Sequence, residues 1–329
     1  MLEAARYPRE KYCAGAVGGW GERILRKLDA SPDVPSAQID GISIRVGAGE
    51  ISAYVGGIGR VVRRMEFDAV LASLARETGV TVVEDMRVTS ISRQKHGAHV
   101  ETSRGTLDAA VVVGADGVGS VVRRLMELTR DMFRAQVLEV DTEPIAGDRD
   151  RGFIHFDGSD RSYPGYSWDF PTEVGGEPMV SRGIYRLRMG DEQVDLTAVL
   201  GKRLAAMRLD LARYKKKRYA ERGCEPTGTF SQGALMLIGE AAGIDPITGE
   251  GIAQAIEYGD LAAQFLVRHL EHDTSLSMWR RTLRCSRWGR DPRVRGRGVT
   301  AFYANSRSHM ERPLCQLLGV SALRRYPHR

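Results

Sequence analysis

The chain has 329 residues and a net charge of +6, and its 42 % hydrophobic and 27 % charged residues match globular proteins, which excludes fibrous and disordered classes. No stretch reaches the roughly 18 consecutive apolar residues of a membrane span, and the first residues lack the basic and apolar order of a secretory signal. The four cysteines, Cys13, Cys224, Cys285 and Cys315, form no C-x-x-C pair, which disfavours a disulfide scaffold or a zinc site and favours the cytoplasm.

Hydrophobic periodicity in the first part of the chain predicts a helix followed by short strands. Apolar residues recur at helical spacing from Glu66 to Thr78, and Gly79 follows as a stop signal. β-branched runs predict strands over 80–83, 88–92, 99–102 and 107–113. The last run is nearly all apolar, which is typical of a strand that is buried on both faces.

The middle of the chain has a different pattern. Residues 131–230 are rich in aromatic residues and glycine and alternate in polarity, which predicts a largely antiparallel domain inserted into the first one. One charged helix is predicted over 196–221, and its Lys215-Lys216-Lys217-Arg218 run is interpreted as a solvated helix face.

A buried strand over 235–238 and a long apolar-faced helix then return the chain to the first domain. This alternation of strands and helices predicts an α/β protein. The division into domains is 1–130 with 231–270 for a discontinuous first domain, 131–230 for the insertion, and 271–329 for an Arg-rich C-terminal helical segment.

Two glycine turns carry the candidate binding residues. In the first, a buried strand runs into Asp116 and Gly117 and then into an apolar helix start. An acid at the end of a strand, with a helix N-terminus behind it, is suited to bind hydroxyl and phosphate groups. By itself, such a turn is equally consistent with a structural connection.

The second turn repeats this design. The strand ends in Gly239 and Glu240, Pro246 sets a bend, and Gly249 and Gly251 open the long helix. The two glycines leave no side chains in front of the helix N-terminus, whose positive end would stabilise an electron-rich ring. The two turns together, in this order, are more specific than either alone.

The pair of turns resembles the second and third FAD-binding motifs of the flavoprotein hydroxylase superfamily. Within it, the sequence looks most like the geranylgeranyl reductase branch, whose relatives include flavin-dependent halogenases. Arg6 to Gly15 is similar to that branch's R-x-F-P-R-x-K-x-C-G-G stretch, Arg64 to Asp68 to its R-x-x-F-D helix start, and Tyr166 to Pro171 to its Y-x-W-x-F-P motif. The resemblance covers residues 2 to about 270.

The resemblance implies an α/β fold with a glutathione-reductase-like, p-hydroxybenzoate-hydroxylase-type FAD domain, N-terminally incomplete, and an inserted, mostly antiparallel β-sheet substrate domain. It assigns FAD binding to Glu3, Arg9, Arg64, Asp116, Gly117, Gly239, Glu240, Pro246, Gly249, Gly251 and Ile252. It assigns catalytic positions to Cys13, Trp168 and Phe170. Two alternatives stay open: Cys13 as a buried small hydrophobe, and the aromatic residues as plain core. We expect no metal site.

The sequence departs from the family pattern in four places. The family starts with a strand and a G-x-G-x-x-G phosphate loop, whereas Leu2-Glu3 corresponds to the end of its second strand. We therefore expect a fragment or a misplaced start codon, with weakened FAD binding. Glu240 stands where the family usually has Asp, Ala14 replaces a Gly, and Ser181-Arg182-Gly183 replaces a G-x-G.

The function implied by the resemblance is an FAD-dependent oxidoreductase of the geranylgeranyl reductase type. Its substrate would be a small hydrophobic molecule, with an isoprenoid as one candidate, and its electron donor a nicotinamide nucleotide or a separate reductase. One alternative is a flavin-dependent monooxygenase or halogenase. Another is a non-catalytic remnant that lacks the phosphate loop and binds a partner through its Arg-rich tail.

The charge of the chain is concentrated at its end. Residues 280–329 contain thirteen Arg against Asp291 and Glu311 alone. A solvated face is the simplest interpretation, and a peripheral contact with an anionic membrane is an alternative. Nucleic acid is disfavoured as a partner because no nucleic-acid-binding module accompanies the charge. The expected location is cytoplasmic, with a membrane-peripheral one as the alternative.

Overall fold

The computed structural model describes residues 1–47, 49–128, 134–148, 152–188, 193–225 and 227–291. The arginines beyond residue 291, and with them most of the predicted Arg-rich segment and its membrane contact, lie outside the described residues. Among the helices of the described ranges, none combines the length and the apolar character that a bilayer crossing requires.

The structure is a mixture of strands and helices, which confirms the predicted α/β class. The strands are β1 (Ala16–Gly18), β2 (Ser36–Val46), β3 (Gly49–Val62), β4 (Val88–Gln94), β5 (Gly97–Thr102), β6 (Gly105–Ala109), β7 (Val112–Gly114), β8 (Arg134–Thr142), β9 (Phe153–Asp157), β10 (Gly165–Val174), β11 (Glu177–Arg188), β12 (Lys217–Arg222), β13 (Ser231–Gln232) and β14 (Leu235–Leu237). The helices are α1 (Gly19–Lys27), α2 (Arg64–Glu77), α3 (Val121–Leu125), α4 (Leu196–Ala206), α5 (Gly239–Ala242), α6 (Ile252–His272), α7 (Trp279–Cys285) and α8 (Arg287–Arg290).

A mostly antiparallel sheet of eight strands dominates the molecule, in the order β1-β3-β2-β9-β10-β11-β8-β12. Only its β2–β9 pair is parallel within the described residues. Three of its strands, β1 to β3, come from the part of the chain before residue 63, so the sheet is wider than the predicted insertion over 131–230. The division of the chain into domains stays a prediction.

One of the two smaller sheets in the described part of the chain carries both glycine turns. In this sheet β7 pairs in parallel with β14, so that the carboxyl ends of these strands, Gly114 and Leu237, lie side by side. The first glycine turn follows β7 and the second follows β14, which brings both turns to the same edge. Strands β4, β5 and β6 form a separate antiparallel sheet.

The core under these turns is built around α6. Tyr258 and Phe265 of this helix are fully buried, and Trp279 of α7 packs on Phe265 with ring centroids 5.3 Å apart. The indole nitrogen of Trp279 donates a hydrogen bond to the Leu237 carbonyl at 3.0 Å. The helix that carries the second turn is thereby fixed against the end of β14.

Two of the predicted strands are wrong in extent. The predicted strand over 80–83 is a single bridge, in which Val83 pairs with Leu2. The predicted strand over 107–113 is two strands, because the chain leaves the β4-β5-β6 sheet after Ala109 and enters the β7–β14 pair at Val112. Strand β6 is largely exposed, so the expected burial on both faces does not apply to it.

The predicted helix over 196–221 ends at Ala206, and its last residues, from Lys217 onward, belong to strand β12, which pairs with β8. The interpretation of the lysine run as a solvated helix face is wrong for Lys217. This side chain is buried, and its ammonium lies 2.7 Å from Asp141 and 3.4 Å from Glu139. Pairing with β8 supplies both carboxylates, which the local charge pattern does not reveal.

Candidate functional site

A cavity of about 2260 Å³, called here the central cavity, lies where the two glycine turns meet the large sheet. The first turn contributes Asp116 and Gly117 to its wall, and the second contributes Gly239, Glu240, Gly249, Gly251 and Ile252. The N-terminal segment contributes Glu3, Arg9, Cys13 and Arg64, and β10 contributes Trp168 and Phe170. These thirteen predicted site residues therefore line one cavity. Their roles stay predictions.

The acid of the first turn caps a helix. Oδ2 of Asp116 accepts hydrogen bonds from the backbone N–H groups of Val121 and Val122, at 2.6 and 3.3 Å. Gly117 follows with φ +72°, a backbone conformation that favours glycine. One carboxylate oxygen of Asp116 thus holds the turn in place while the exposed residue remains in the cavity wall.

Asp245 fixes the conformation of the second turn through hydrogen bonds. The sequence pattern did not single out this residue. Its buried carboxylate accepts hydrogen bonds from the backbone N–H of Ile247 at 2.7 Å and from the Thr248 hydroxyl, while its own N–H donates to Gln254 Oε1 at 2.8 Å. Pro246 does not line the cavity; instead its carbonyl accepts a hydrogen bond from the Tyr185 hydroxyl at 2.9 Å. Its predicted contact with the cofactor would therefore be indirect.

The N-terminus of α6 opens directly on the cavity. Gly249 has φ +68°, and a Cβ placed on it would lie 2.6 Å from Glu221 Oε2 and 2.9 Å from the Tyr185 ring. A side chain does not fit there. The first turn of a 21-residue helix has backbone N–H groups without partners inside the helix, and its end carries a partial positive charge.

Three residues predicted to bind FAD, Glu3, Arg9 and Arg64, form one ion-pair network with Asp68. The Arg9 guanidinium donates to Glu3 Oε2 at 3.1 Å and to Asp68 Oδ2 at 3.2 Å. Arg64 makes a two-bond pair with the same Asp68, at 2.6 and 3.0 Å. Although burial opposes it, Asp68 raises the pKa of Arg64 above its ordinary value, so that this arginine stays charged.

Cys13 lies half-buried in the cavity wall, where its Sγ accepts a hydrogen bond from the Gly15 N–H at 3.4 Å. Burial raises the pKa of the thiol, against the opposing charge of Arg64. At neutral pH the group is a thiol rather than a thiolate, which fits a proton carrier or an apolar wall better than a nucleophile.

The aromatic residues of β10 belong both to the core and to the cavity wall. Alternation along the strand places Tyr166, Trp168 and Phe170 on one face of the sheet. Tyr166 stacks on Tyr185 with ring centroids 5.0 Å apart, and Trp168 and Phe170 are almost fully buried. The two interpretations of these residues, core aromatics and cavity wall, are therefore compatible.

The Ser181-Arg182-Gly183 departure has a local explanation. Gly183 stands opposite Trp168 in the sheet, and a Cβ on it would lie 2.1 Å from the indole ring. Arg182 is 1 % exposed and pairs with Asp148 at 2.8 Å and Asp169 at 2.9 Å. The glycine thus makes room for the tryptophan, and the arginine is neutralised inside the sheet.

Lys11, Tyr219 and Glu221 also line the cavity, and sequence reasoning missed them. The Lys11 ammonium lies 3.7 Å from Glu240 Oε2, and the Tyr219 hydroxyl donates to Glu139 Oε2 at 3.0 Å. Tyr219 and Glu221 are two residues apart on β12, so their side chains lie on the same face of the strand. The sequence predicted a helix at this place. Only the pairing of β12 with β8 brings them to the cavity.

The sequence comparisons point to one group of relatives. The chain is 32 % identical over 241 residues to the digeranylgeranylglycerophospholipid reductase of Methanosarcina mazei, which covers 68 % of this chain and 56 % of that protein. It is 24 % identical to the menaquinone reductase of Mycolicibacterium smegmatis, over 81 % of this chain and 69 % of that protein. The chain thus spans little more than half the length of the first of these relatives. No protein-family model matches the chain.

Solved structures share the fold. A geranylgeranyl bacteriochlorophyll reductase-like protein from Thermoplasma acidophilum superposes with a TM-score of 0.71 at 24 % identity, over 86 % of this chain and 75 % of that one. A probable FAD-dependent monooxygenase from Pseudomonas aeruginosa gives 0.68 at 19 % identity, over 97 % and 91 %. These comparisons confirm the resemblance: the chain has the fold of the flavoprotein hydroxylase superfamily, and its sequence is similar to the geranylgeranyl reductase-like branch.

Proposed function

We propose that this chain binds FAD in the central cavity and is an FAD-dependent oxidoreductase of the geranylgeranyl reductase type, acting on a hydrophobic substrate. One observation carries the proposal. Two glycine turns that are far apart in the sequence, one at Asp116 and one at Gly249, open on the same cavity. The relatives named as reductases support the reaction type.

The polar residues of the cavity fit this cofactor. Oε1 of Glu240 is shielded from solvent and has no hydrogen-bond partner among the described residues, so it would accept from hydroxyls of the ribityl chain. The N-terminus of α6 would face the electron-rich ring, the Asp116 turn the diphosphate and its neighbouring hydroxyls, and the Glu3–Arg9 pair the adenosine ribose. When bound, FAD supplies the electron transfer, and the protein supplies position and electrostatics.

The size and lining of the cavity support a second, apolar occupant. Sites for one drug-sized ligand are about 300–1,000 Å³, and this cavity of about 2260 Å³ is larger than that. The part against the large sheet is lined by apolar and aromatic side chains, namely Ile39, Ile42, Ile58, Ile154, Phe156, Tyr166, Trp168 and Phe170. These side chains would exclude water and bind an extended hydrocarbon, and an isoprenoid is our proposed substrate.

Flavin binding tests the cofactor. We expect FAD titrated into the purified chain to bind with quenching of flavin fluorescence, and riboflavin to bind more weakly because it lacks the parts that would face the Asp116 turn and Glu3. A chain that takes up neither FAD nor riboflavin would refute the proposal. Replacing the exposed Glu177, on the far end of β11, by Gln serves as a control and should leave both affinities unchanged.

Product analysis separates the reaction types. With FAD bound, a chemical reductant and a prenyl substrate under anaerobic conditions, a reductase yields a saturated carbon–carbon bond. The second candidate, a monooxygenase or halogenase, is favoured by solved structures such as the Pseudomonas enzyme and would instead consume oxygen. The natural electron donor, a nicotinamide nucleotide or a separate reductase, and a membrane contact of the tail remain proposals, which assays with each donor and with lipid vesicles would test.

A further inference from the structure

Glu221 is a carboxyl group of strand β12 that lies at the α6 end of the central cavity. Its Oε2 is shielded from solvent and has no hydrogen-bond partner among the described residues. A Cβ placed on Gly249 would lie 2.6 Å from this oxygen, so the carboxyl lies directly against the glycine that opens α6. The side chain also lines the cavity.

The surroundings of Glu221 are mainly acidic or neutral. Glu240 approaches it from α5, Asp245 from the turn before α6, and Glu139 from β8, while Lys11 is the cation on this side, already 3.7 Å from Glu240. On its remaining sides are the Cys13 thiol, the Tyr219 hydroxyl of its own strand and the Tyr185 ring. Lys217 is paired with Glu139, and Arg222 acts on Glu240, but no salt bridge reaches Glu221 among the described residues. A second full negative charge beside Glu240 is therefore disfavoured.

We propose that Glu221 acts as a neutral carboxylic acid that donates a hydrogen bond to the polar edge of the flavin ring at Gly249, and so makes flavin affinity depend on pH. This inference rests on the proposed function, because it takes FAD as the occupant. A protonated carboxyl has one O–H donor, which an ionised one lacks. This role would explain why Oε2 of Glu221 has no hydrogen-bond partner among the described residues, although it lies beside the N-terminus of α6.

The charge state follows from burial. Burial, and after it the charge of Glu240, hold the pKa of Glu221 well above its usual range, against the opposing charge of Lys11. We take the acid as protonated at and below neutral pH, the state that burial favours. As the pH rises through this pKa, the donor is lost and a negative charge appears beside an electron-rich ring, so that binding weakens with increasing pH.

The test is the dissociation constant for FAD between about pH 6 and pH 9 in the wild type, Glu221→Gln and Glu177→Gln. For the wild type we expect a constant that rises by up to about tenfold per pH unit above the pKa, the limit for one linked proton. Gln keeps a neutral donor, so Glu221→Gln should bind FAD with a constant that does not rise in this way. Glu177→Gln, the same change at an exposed position of the sheet, should show the same pH dependence of the dissociation constant as the wild type. A flat wild-type profile, or an unchanged slope in Glu221→Gln, overturns the inference.

Infrared spectroscopy gives a second readout that needs no flavin. A protonated carboxyl has a carbonyl stretch distinct from that of a carboxylate. We expect a component of this band at neutral pH in the wild type and in Glu177→Gln that is lost in Glu221→Gln. Its absence from the wild type overturns the inference even if the variant fails to fold. If FAD binds at no pH while the band is present, the proposed cofactor is wrong but the protonated state of Glu221 stands.

Discussion

The resemblance of the second glycine turn to the family motif implies a shorter Asp at the position of Glu240. Oε2 of Glu240 pairs with Lys11 at 3.7 Å, whereas its Oε1 has no partner among the described residues. We expect Glu240→Asp to keep or strengthen FAD binding and Glu240→Ala to weaken it by about tenfold to a hundredfold, because a hydrogen bond to a charged group contributes about 1.5–3 kcal/mol. Titration with FAD measures this, and equal affinities in all three proteins would show that this carboxylate does not touch the cofactor.

At the scale of residues, the site residues that could be predicted are those that belong to a short sequence motif. Asp116, Glu240 and Gly249 lie in turns whose order of strand, acid and glycine is written within about twenty residues of sequence, and all three line the cavity. Asp245 and Glu221 had no such signal. Asp245 shapes the turn through hydrogen bonds with residues that follow it, as far as Gln254, and Glu221 reaches the cavity only because β12 pairs with β8.

At the scale of elements, the opening of α6 depends on Gly249. An alanine there would meet Glu221 and Tyr185 and would force a side chain into a left-handed backbone conformation, which costs about 1–3 kcal/mol. We therefore expect Gly249→Ala to lower the stability by that amount and to weaken FAD binding. Thermal unfolding and FAD titration of the same variant measure the two effects.

A matched control is available in the turn between β10 and β11. Gly175 has a similar φ of +62°, but a Cβ on it would meet nothing within 4 Å. Gly175→Ala should therefore lower the stability through backbone strain alone and leave the affinity for FAD unchanged. Weakened binding in both variants, or in neither, would contradict the assignment of Gly249 to the binding site.

The elements that the sequence predicted well are those whose pattern repeats within one element. The apolar spacing of α2 and α6 follows the helical period over several turns, and both helices lie within two residues of their predicted starts. In the stretch 196–221 the residues from Lys217 onward form a strand because they pair with β8, far away in the sequence. Tertiary pairing overrides local propensity there, as it does where the chain changes sheets between Ala109 and Val112.

At the scale of the whole molecule, the two glycine turns and the large sheet are connected through the rim of the cavity. The Tyr185 hydroxyl of β11 donates to the Pro246 carbonyl at 2.9 Å, and the Tyr166 hydroxyl of β10 donates to the Thr248 carbonyl. The α6 turn is thus tied to the large sheet by hydrogen bonds from two of its strands. A ligand in the cavity would contact both parts at once.

FAD should therefore stabilise both parts together and not the glycine turns alone. At a free concentration a hundredfold above its dissociation constant, a ligand that binds only the folded state adds about 2.7 kcal/mol, which for a chain of this size raises the unfolding temperature by about 4 °C. We expect one thermal transition, by calorimetry and by tryptophan fluorescence, that shifts by this amount with FAD. Gly249→Ala should show a smaller shift at the same FAD concentration because its affinity is lower. Two separate transitions, of which FAD shifts one alone, would mean that the cofactor does not bridge the turns and the sheet.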